Sequence, residues 1–431
     1  MSDIGAVILI FLILLFMGLP VAFVLGVSSI LYFFISDSVH LSGVMVQRMF
    51  SGMNSFVIMA IPLFIMAGEM LNRGQITERL VKFADLVVGR MRGGLAQANV
   101  VTSMLFAGIT GSALSDVAAL GSIFIPSMEK SGYDREFSTA VTAASAIQGP
   151  IIPPSVPAVL VASATGTSLG ALFLGGAIPG FLVGIGCMIL VTIYSRKRAY
   201  PRRERRFSRA EVFASIKGAF LALLTPVIIL GGIVTGMFTP TEAAAIAVLY
   251  AGLLNFVVYR ILGWSGLWKL LKDVVKATSK IYLIIATATA FSWILSMENV
   301  PAMLSNFLFN ITDNHLVMLL VVNLFLLFWG MWMDTAPSIM LLAPILFPIT
   351  QAMGIHPIHF GVIMIVNLMI GQLSPPFGMS LFTALAVGKV GMMGLMKVLW
   401  PFFILNIIIL GLVTYIPEIS LFLPRLLGFI N

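Results

Sequence analysis

The chain has 431 residues, of which 59% are hydrophobic and 10% are charged, and its formal net charge is +8. A soluble protein of this length needs a larger charged surface, so the composition excludes a cytosolic enzyme, a nucleic-acid-binding protein and a disordered scaffold. Lys and Arg lie in short gaps between apolar runs, where they indicate membrane topology, and no nucleic-acid partner is expected. The single cysteine, Cys187, cannot form an intrachain disulfide.

The apolar runs predict an all-α polytopic membrane protein. The first run, residues 4–35, lacks a signal-peptide cleavage site and is interpreted as one retained span. Eight further runs are long enough to cross a bilayer, at residues 52–71, 137–166, 170–194, 217–237, 240–258, 279–297, 360–388 and 398–420. Two other apolar stretches, 94–128 and 316–349, are interrupted near their middle, and each forms either two spans or a re-entrant hairpin.

Basic residues divide the predicted loops into two sides. One side receives 23 of the 25 Lys and Arg, in residues 73–92, 130–135, 196–217, 260–280 and 389–397. The positive-inside rule makes this side the cytoplasm, which places the N-terminus inside and the C-terminus outside. The densest basic run, 196–209, is interpreted as a cytoplasmic connector that contacts membrane lipid headgroups.

The two halves of the chain are related by an internal repeat. A shift of 222 residues superimposes backbone-shaping residues without a gap, among them Gly149 on Gly371, Pro153 on Pro375, Pro154 on Pro376 and Pro179 on Pro401. An odd number of crossings separates equivalent elements, so the halves are predicted to be inverted. Inverted repeats are typical of secondary transporters, although duplicated scaffolds and channels have them too.

The repeat divides the chain into three predicted parts. The first repeat is 1–195, with an amphipathic interfacial arm at 75–92, a hairpin at 94–128 and a broken helix at 137–166. A basic connector and a linking span occupy 196–239. The second repeat is 240–431, with a hairpin at 316–349 and a broken helix at 360–388.

Four helix interruptions are predicted at membrane depth. Two lie at the hairpin tips, here called the first tip (111–116) and the second tip (334–338). Two contain adjacent prolines, here called the first break (149–155) and the second break (371–378). Adjacent prolines force a helix to stop, and the freed carbonyls, together with Ser and Thr hydroxyls, are suitable ligands for sodium. Half-helix N-termini at the same depth favour an anionic group.

Ionisable side chains at membrane depth are the strongest single candidates for function. A carboxylate there costs roughly 2.5–3.5 kcal/mol, so Asp116 and Asp334 are expected to ligate an ion, cap a half-helix or carry a proton. Glu242 follows Pro240 and is interpreted as a helix-start residue. His356 and His359 lack further metal ligands nearby and are interpreted as interfacial loop residues.

The motifs described above resemble those of one transporter family over essentially the whole chain. They are Gly111-Ser112-Ala113 with Asp116, Ile152-Pro153-Pro154-Ser155, Phe238-Thr239-Pro240-Thr241-Glu242-Ala243, and Asp334-Thr335 followed by Pro344 and Pro348. The chain resembles the large, DctM-like membrane subunit of tripartite ATP-independent periplasmic (TRAP) transporters. The resemblance implies an elevator-type architecture with re-entrant hairpins and discontinuous helices, located in the bacterial inner membrane.

The resemblance also implies function, partners and site residues. It implies sodium-coupled uptake of organic acids, of the sialic acid or C4-dicarboxylate type, with a small four-span membrane subunit and a periplasmic substrate-binding protein as partners. No cofactor is expected, and Na⁺ is the coupling ion. The first sodium site would comprise Gly111, Ser112, Asp116, Pro153, Pro154 and Ser155. The second would comprise Asp334, Thr335, Ser338, Pro375, Pro376 and Gly378. Substrate binding or gating would involve Ser115, Asp116, Ser155, Ser338 and Gly378.

Other functions remain open from the residues alone. A channel, or an anion/sodium symporter that needs no binding protein, would share the broken helices. An intramembrane enzyme could pair Asp116 with Asp334, but the sequence has no nucleophile or metal motif to support one, so the protein is not expected to be an enzyme.

Overall fold

The fold is that of a computed structural model, which describes residues 3–73, 76–201, 208–311 and 314–430. Within these ranges the regular structure is helical, which confirms the predicted all-helical class. The predictions that concern Gln75, Arg202, Arg203, Arg205 and Arg206 fall outside the described residues.

The N-terminal apolar run is divided into two helices, so the prediction of one span over residues 4–35 is wrong. Helix α1 (Asp3–Phe16) and helix α2 (Val21–Ile35) pack against each other. Gly18 between them has a φ of +79°, in the left-handed region that terminates helices, and Pro20 precedes the first residue of α2. After α2 follow α3 (Ser42–Met53), α4 (Ala60–Arg73) and α5 (Ile76–Val88).

Helix α5 lies in the predicted interfacial arm. Its buried side chains, which include Leu80, Ala84 and Val88, recur at helical spacing on one face. That face packs against α6 (Gly94–Thr110) and α11 (Arg209–Val234). The arm therefore braces the first helix of the predicted hairpin.

The rest of the first half contains the first tip and the first break. Helix α7 (Ala113–Lys130) follows α6 directly and packs against it. Helices α8 (Arg135–Ala146) and α9 (Val156–Thr165) flank the first break, and α10 (Leu169–Lys197) completes the half.

The second half begins after α11. Helix α12 (Pro240–Leu253) starts with a capping box, in which the Thr239 and Glu242 side chains each accept from the other's backbone N–H, as expected for a helix start. A π-helical turn (Leu254–Val258) leads to the longest helix, α13 (Trp264–Met297), and to α14 (Val300–Ile311).

The second tip and the second break follow. Helices α15 (His315–Trp332) and α16 (Thr335–Ala352) flank the second tip, and α17 (Pro357–Gly371) and α18 (Met379–Gly388) flank the second break. Helices α19 (Met392–Tyr415) and α20 (Glu418–Leu426) complete the chain.

The prediction that His356 and His359 are loop residues is wrong for His359, which lies inside helix α17, whereas His356 precedes the first residue of that helix. His356 caps the helix by accepting from the backbone N–H of Ile358 at 3.2 Å. His359 is buried, with its ring 2.6 Å from the Ser420 hydroxyl and 3.2 Å from the Thr414 carbonyl oxygen. Proline at the first helical position starts α17 earlier than the apolar pattern indicates.

Seven helices within the described residues are long and apolar enough to cross a bilayer. They are α10, α11, α12 with its π-turn, α13, α15, α16 and α19. Shorter apolar helices, including α9, α17 and α18, lie among them. The seven long helices indicate a multi-pass membrane protein.

Helices of each half pack against helices of the other half, an arrangement here called the exchanged packing. Helix α7 of the first half packs against α18 of the second, and α16 of the second half packs against α9 of the first. In the same way α2 packs against α13, and α4 packs against α12. One hydrophobic core extends through both halves.

Candidate functional site

Both predicted hairpin tips meet at one cavity of about 540 Å³. Residues 111–115 of the first tip and 334–336 of the second tip form part of its wall. Helices α4 and α13 supply another part of the wall, and the start of α9 and the end of α17 complete it. The volume is in the range of small-molecule binding sites.

The first tip is a tight turn between two helices. Gly111 ends α6 with a φ of +59°, which glycine adopts without strain. Ser112 caps α7 by accepting from the backbone N–H of Ser115 at 3.4 Å. A Cβ added to Gly111 would lie 3.3 Å from the Pro154 carbonyl oxygen, so the first tip contacts the first break closely.

The first break is fully buried. Ser155 caps α9 by accepting from the backbone N–H of Ala158 at 3.2 Å, and its hydroxyl donates to the Pro150 carbonyl. Asp116 is buried in the first turn of α7 and faces this break. A Cβ on Gly149 would lie only 2.4 Å from Asp116 Oδ2, so a side chain there would force the Asp116 carboxylate to shift.

The second tip is held by carboxylate and amide hydrogen bonds. Asp334 caps α16, because its Oδ1 accepts from the Thr335 N–H at 2.7 Å. The same Oδ1 accepts from Gln372 Nε2 at 2.7 Å, and Gln372 Nε2 also donates to the Thr335 hydroxyl at 2.8 Å. Ser338 donates to the Asp334 carbonyl at 2.7 Å. The second tip is thereby joined to the second break.

The second break is organised around Gln372. Its carbonyl accepts from the N–H groups of Ser380 at 3.1 Å and Leu381 at 3.3 Å, and its Oε1 accepts from the Ser380 hydroxyl at 3.0 Å. Gly378 is confined, since a Cβ there would lie 2.2 Å from the Gln372 carbonyl oxygen. Unlike the first break, this segment is partly open to the surface, with Pro376 and Phe377 exposed.

The structure brings some predicted site residues to the cavity and holds others behind it. Gly111, Ser112, Ser115, Asp334 and Thr335 line the cavity. The remaining predicted residues that are buried behind the tips are Asp116, Pro153, Pro154, Ser155 and Ser338. Pro375, Pro376 and Gly378 lie in the second break, and they are not among the cavity-lining residues.

The cavity can accommodate both an anion and a cation. The N-termini of α7 and α16 lie at its wall, where their backbone N–H groups and dipoles favour negative charge. Neutral oxygens of Ser112, Ser115 and Thr335, with the Asp334 carboxylate, suit a hard cation.

Four polar residues of this site were not among the predicted site residues, and one of them is Glu69 of α4, which lines the cavity. Gln372 stood inside a recognised motif, but nothing in the sequence indicated that its amide bonds Asp334. Asn72 and Lys280 line the cavity from α4 and α13. The prediction that Lys280 belongs to a basic loop, 260–280, is wrong, because Lys280 lies well inside α13.

Comparison with known proteins identifies the family. Residues 8–419 match the family described as tripartite ATP-independent periplasmic transporter, DctM component. This chain belongs to the DctM family of TRAP transporters. It is a DctM-like large permease subunit, as the motifs predicted.

Three named relatives are similar to this chain over most of their own length. The sialic acid TRAP transporter large permease protein SiaM of Vibrio cholerae is 43% identical over 413 residues, which is 96% of each chain. The C4-dicarboxylate TRAP transporter large permease protein DctM of Pseudomonas aeruginosa is 40% identical, over 88% of this chain and 89% of that protein. The isethionate TRAP transporter permease protein DctMQ of Oleidesulfovibrio alaskensis is 37% identical, over 96% of this chain and 65% of that protein.

The fold is also similar to that of a solved transporter. The YdaH transporter of Alcanivorax borkumensis superimposes with a TM-score of 0.63 at 15% identity, over 91% of this chain and 90% of that chain. At this identity the likeness concerns the fold alone. Large permeases of the DctM family work with a small membrane subunit and a periplasmic binding protein, and these homologues are permeases rather than enzymes.

Proposed function

We propose that this large permease subunit carries out sodium-coupled import of an organic acid that a periplasmic binding protein delivers. The observation that carries the proposal is the cavity in which both tips meet. Two helix N-termini at its wall suit the anionic group of the cargo, and hydroxyl and carboxylate oxygens beside them suit sodium.

The cargo belongs to the sialic acid or C4-dicarboxylate class. This proposal comes from the names of similar permeases, SiaM and DctM, which carry those acids in their titles. Ser115 contacts the cargo directly, because it lines the cavity. Asp116, Ser155, Ser338 and Gly378 act from behind by fixing the tips and breaks.

Each half provides one sodium site. The first comprises Gly111, Ser112, Asp116, Pro153, Pro154 and Ser155, supported by the close approach of Gly111 to the Pro154 carbonyl. The second comprises Asp334, Thr335, Ser338, Pro375, Pro376 and Gly378. Sodium is moved with the cargo, and no other cofactor takes part.

Transport follows an elevator movement of two inverted repeats. The exchanged packing, α7 on α18 and α16 on α9, supports the pairing of residues 94–166 with 316–388 as one moving body. Helices α2, α4, α12 and α13 pair with one another and form the static scaffold. The two repeats supply related inward-open and outward-open states.

The complex lies in the bacterial inner membrane with the basic segments on the cytoplasmic side. Residues 73–92, 196–217 and 260–280 support this orientation, and the C-terminus lies on the periplasmic side. The cytoplasmic position of the N-terminus depended on one crossing in residues 4–35. Since α1 and α2 replace that crossing, the orientation proposed here rests on the residues after α2.

Reconstitution tests the proposal. Proteoliposomes containing this chain and its small subunit are supplied with the binding protein and radiolabelled acid, under an inward sodium gradient or an equal potassium gradient. We expect saturable uptake with sodium and the binding protein together, and background uptake when either is omitted. Equal uptake in potassium contradicts the coupling, and equal uptake without the binding protein favours a channel or a simple symporter.

A further inference from the structure

Lys280 occupies an unusual place in the wall of the cavity. The residues of α13 that line the cavity are Ala277, Lys280, Ile281 and Ile284, which recur at helical spacing and therefore form one face of the helix. Lys280 is the only one of these four that is charged, and its side chain is exposed. The face that α13 presents to the cavity is thus apolar except for one ammonium group.

The charge of Lys280 is not used elsewhere in the described part of the chain. No hydrogen bond, ion pair or ring contact joins its side chain to another described residue. The acidic residues at the same cavity are engaged, since Asp334 accepts from Thr335 and Gln372, and Glu69 has an interaction within the chain. Lys280 is the only basic residue among the described residues that line the cavity.

We infer that Lys280 is the counter-charge for a carboxylate of the cargo in the cavity that is open in this structure. The inference rests on the proposed function, and it adds a specificity-determining residue that lies outside both tips and both breaks. An ammonium group beside an apolar face attracts a carboxylate, and the attraction strengthens when the bound cargo displaces water from that face and lowers the local dielectric.

The position of Lys280 predicts that it contributes to cargo binding on one side of the membrane only. It belongs to α13, whereas the tips belong to the hairpins, and the proposed elevator moves the hairpins past α13. Lys280 therefore meets the cargo in only one of the two states. Its loss weakens cargo binding on the side to which this cavity opens and leaves the opposite side little changed.

Direct binding tests the inference on the purified large and small subunits. Isothermal titration with N-acetylneuraminate and with succinate, in sodium, is compared for wild type, Lys280→Gln, Lys280→Arg and the control Lys276→Gln. Lys276 is an exposed lysine of the same helix that does not line the cavity. We expect the Kd for the bound acid to rise about tenfold in Lys280→Gln and about threefold or less in Lys280→Arg, with no change in Lys276→Gln.

A transport measurement tests whether Lys280 acts on one face of the membrane only. In proteoliposomes of known orientation, Lys280→Gln is expected to raise the KM for the acid on one face of the membrane only. Melting temperatures of the ligand-free variants that equal the wild-type value exclude misfolding.

The outcomes separate the inference from the proposed function. If wild type binds and transports an acid and Lys280→Gln does so with unchanged Kd and KM, the inference is overturned and the function stands. An equal loss in Lys276→Gln also overturns it, because the effect then belongs to helix anchoring. If wild type neither binds nor transports either acid, the proposed function fails for these classes and the inference fails with it.

Discussion

Gln372 is the residue that joins the second tip to the second break. Its amide nitrogen donates to Asp334 and Thr335, and its amide oxygen accepts from Ser380. Only a side chain with both a donor and an acceptor can make these bonds together. Gln372 thus fixes the Asp334 carboxylate while leaving it at the cavity wall.

Replacing Gln372 by Ala is expected to weaken sodium activation of transport. Removing a hydrogen bond to a carboxylate costs roughly 1.5–3 kcal/mol, which corresponds to a rise of about tenfold or more in the sodium concentration at half-maximal uptake. Uptake measured against sodium concentration checks this. Gln351→Ala, on the exposed side of α16, is the matched control, and equal behaviour of the two variants would contradict a role for Gln372.

A side chain at Gly149 is expected to destabilise the protein. In Gly149→Ala the new Cβ would lie 2.4 Å from Asp116 Oδ2 and 3.1 Å from the Ala146 carbonyl oxygen, so the Asp116 carboxylate or the first break must shift. We expect a loss of roughly 1–3 kcal/mol of stability, seen as a lower melting temperature in detergent. Gly231→Ala is the control, because a Cβ there meets nothing within 4 Å and alanine favours the helix. A melting temperature unchanged in Gly149→Ala would refute the close contact.

The positions of the helix interruptions are predictable from the sequence, because the backbone determines them. Proline pairs and a Gly-Ser turn are local signals, and the sequence located both breaks and both tips by them. The direction of each side chain depends on distant residues, so the sequence treated Asp116 and Asp334 alike. In the structure Asp334 lines the cavity, whereas Asp116 is buried against Gly149.

At the scale of elements, one junction links the start of α8 to the end of α10. Asp134 accepts from the Tyr200 hydroxyl and from the Arg198 guanidinium. The hydrogen bond from Tyr200, followed by the bond and charge of Arg198, holds the pKa of Asp134 below its usual value. Burial, with the Asp134 bond, raises the pKa of Tyr200 to about 12, so the tyrosine remains a donor at neutral pH.

This junction predicts a pH dependence. A carboxyl group whose folded pKa is lowered stabilises the protein above its unfolded pKa, and the stabilisation is lost as the pH falls through the folded value. Asp134→Asn is therefore expected to lower the melting temperature slightly at pH 7, because the exposed pair contributes less than about 1 kcal/mol to the free energy of unfolding. Melting measured from pH 7 downwards checks this: the gap to wild type should close below about pH 4. A gap that persists or widens in acid would refute the assignment.

Some helix boundaries cannot be recognised from the pattern of apolar residues alone. Residues 4–35 are uniformly apolar, which favours one span, yet Gly18 and Pro20 divide them into α1 and α2. At Lys280 the opposite holds: a charge next to an apolar run favours a loop, yet α13 begins at Trp264 and extends through Lys280. Hydropathy describes how favourably a side chain leaves water. It does not show where the backbone hydrogen bonds of a helix end.

At the scale of the whole molecule, the proposed movement makes a cross-linking prediction. Ser292 of α13 donates to the Met340 carbonyl of α16 at 3.3 Å, across the boundary between scaffold and hairpin. Bridging Ser292→Cys and Met340→Cys with Hg²⁺ is expected to stop uptake, because it ties the moving body to α13. Uptake before and after a thiol reductant measures the effect.

A second cysteine pair provides the control for that cross-link. Thr241 donates to the Phe56 carbonyl at 2.9 Å, and both residues belong to the scaffold side. Bridging Thr241→Cys and Phe56→Cys should leave uptake largely intact, and the one native cysteine, Cys187, is buried. Uptake that survives bridging of the first pair would contradict the elevator movement.

The exchanged packing also bears on how the protein is made. Helix α7 is synthesised long before α18, the helix that packs against it. Helix α9 is likewise synthesised long before its partner, α16. During that interval the faces of α7 and α9 that pack against the second half lack their final neighbours in the membrane. The first half can therefore complete its packing only after the C-terminal helices have been inserted.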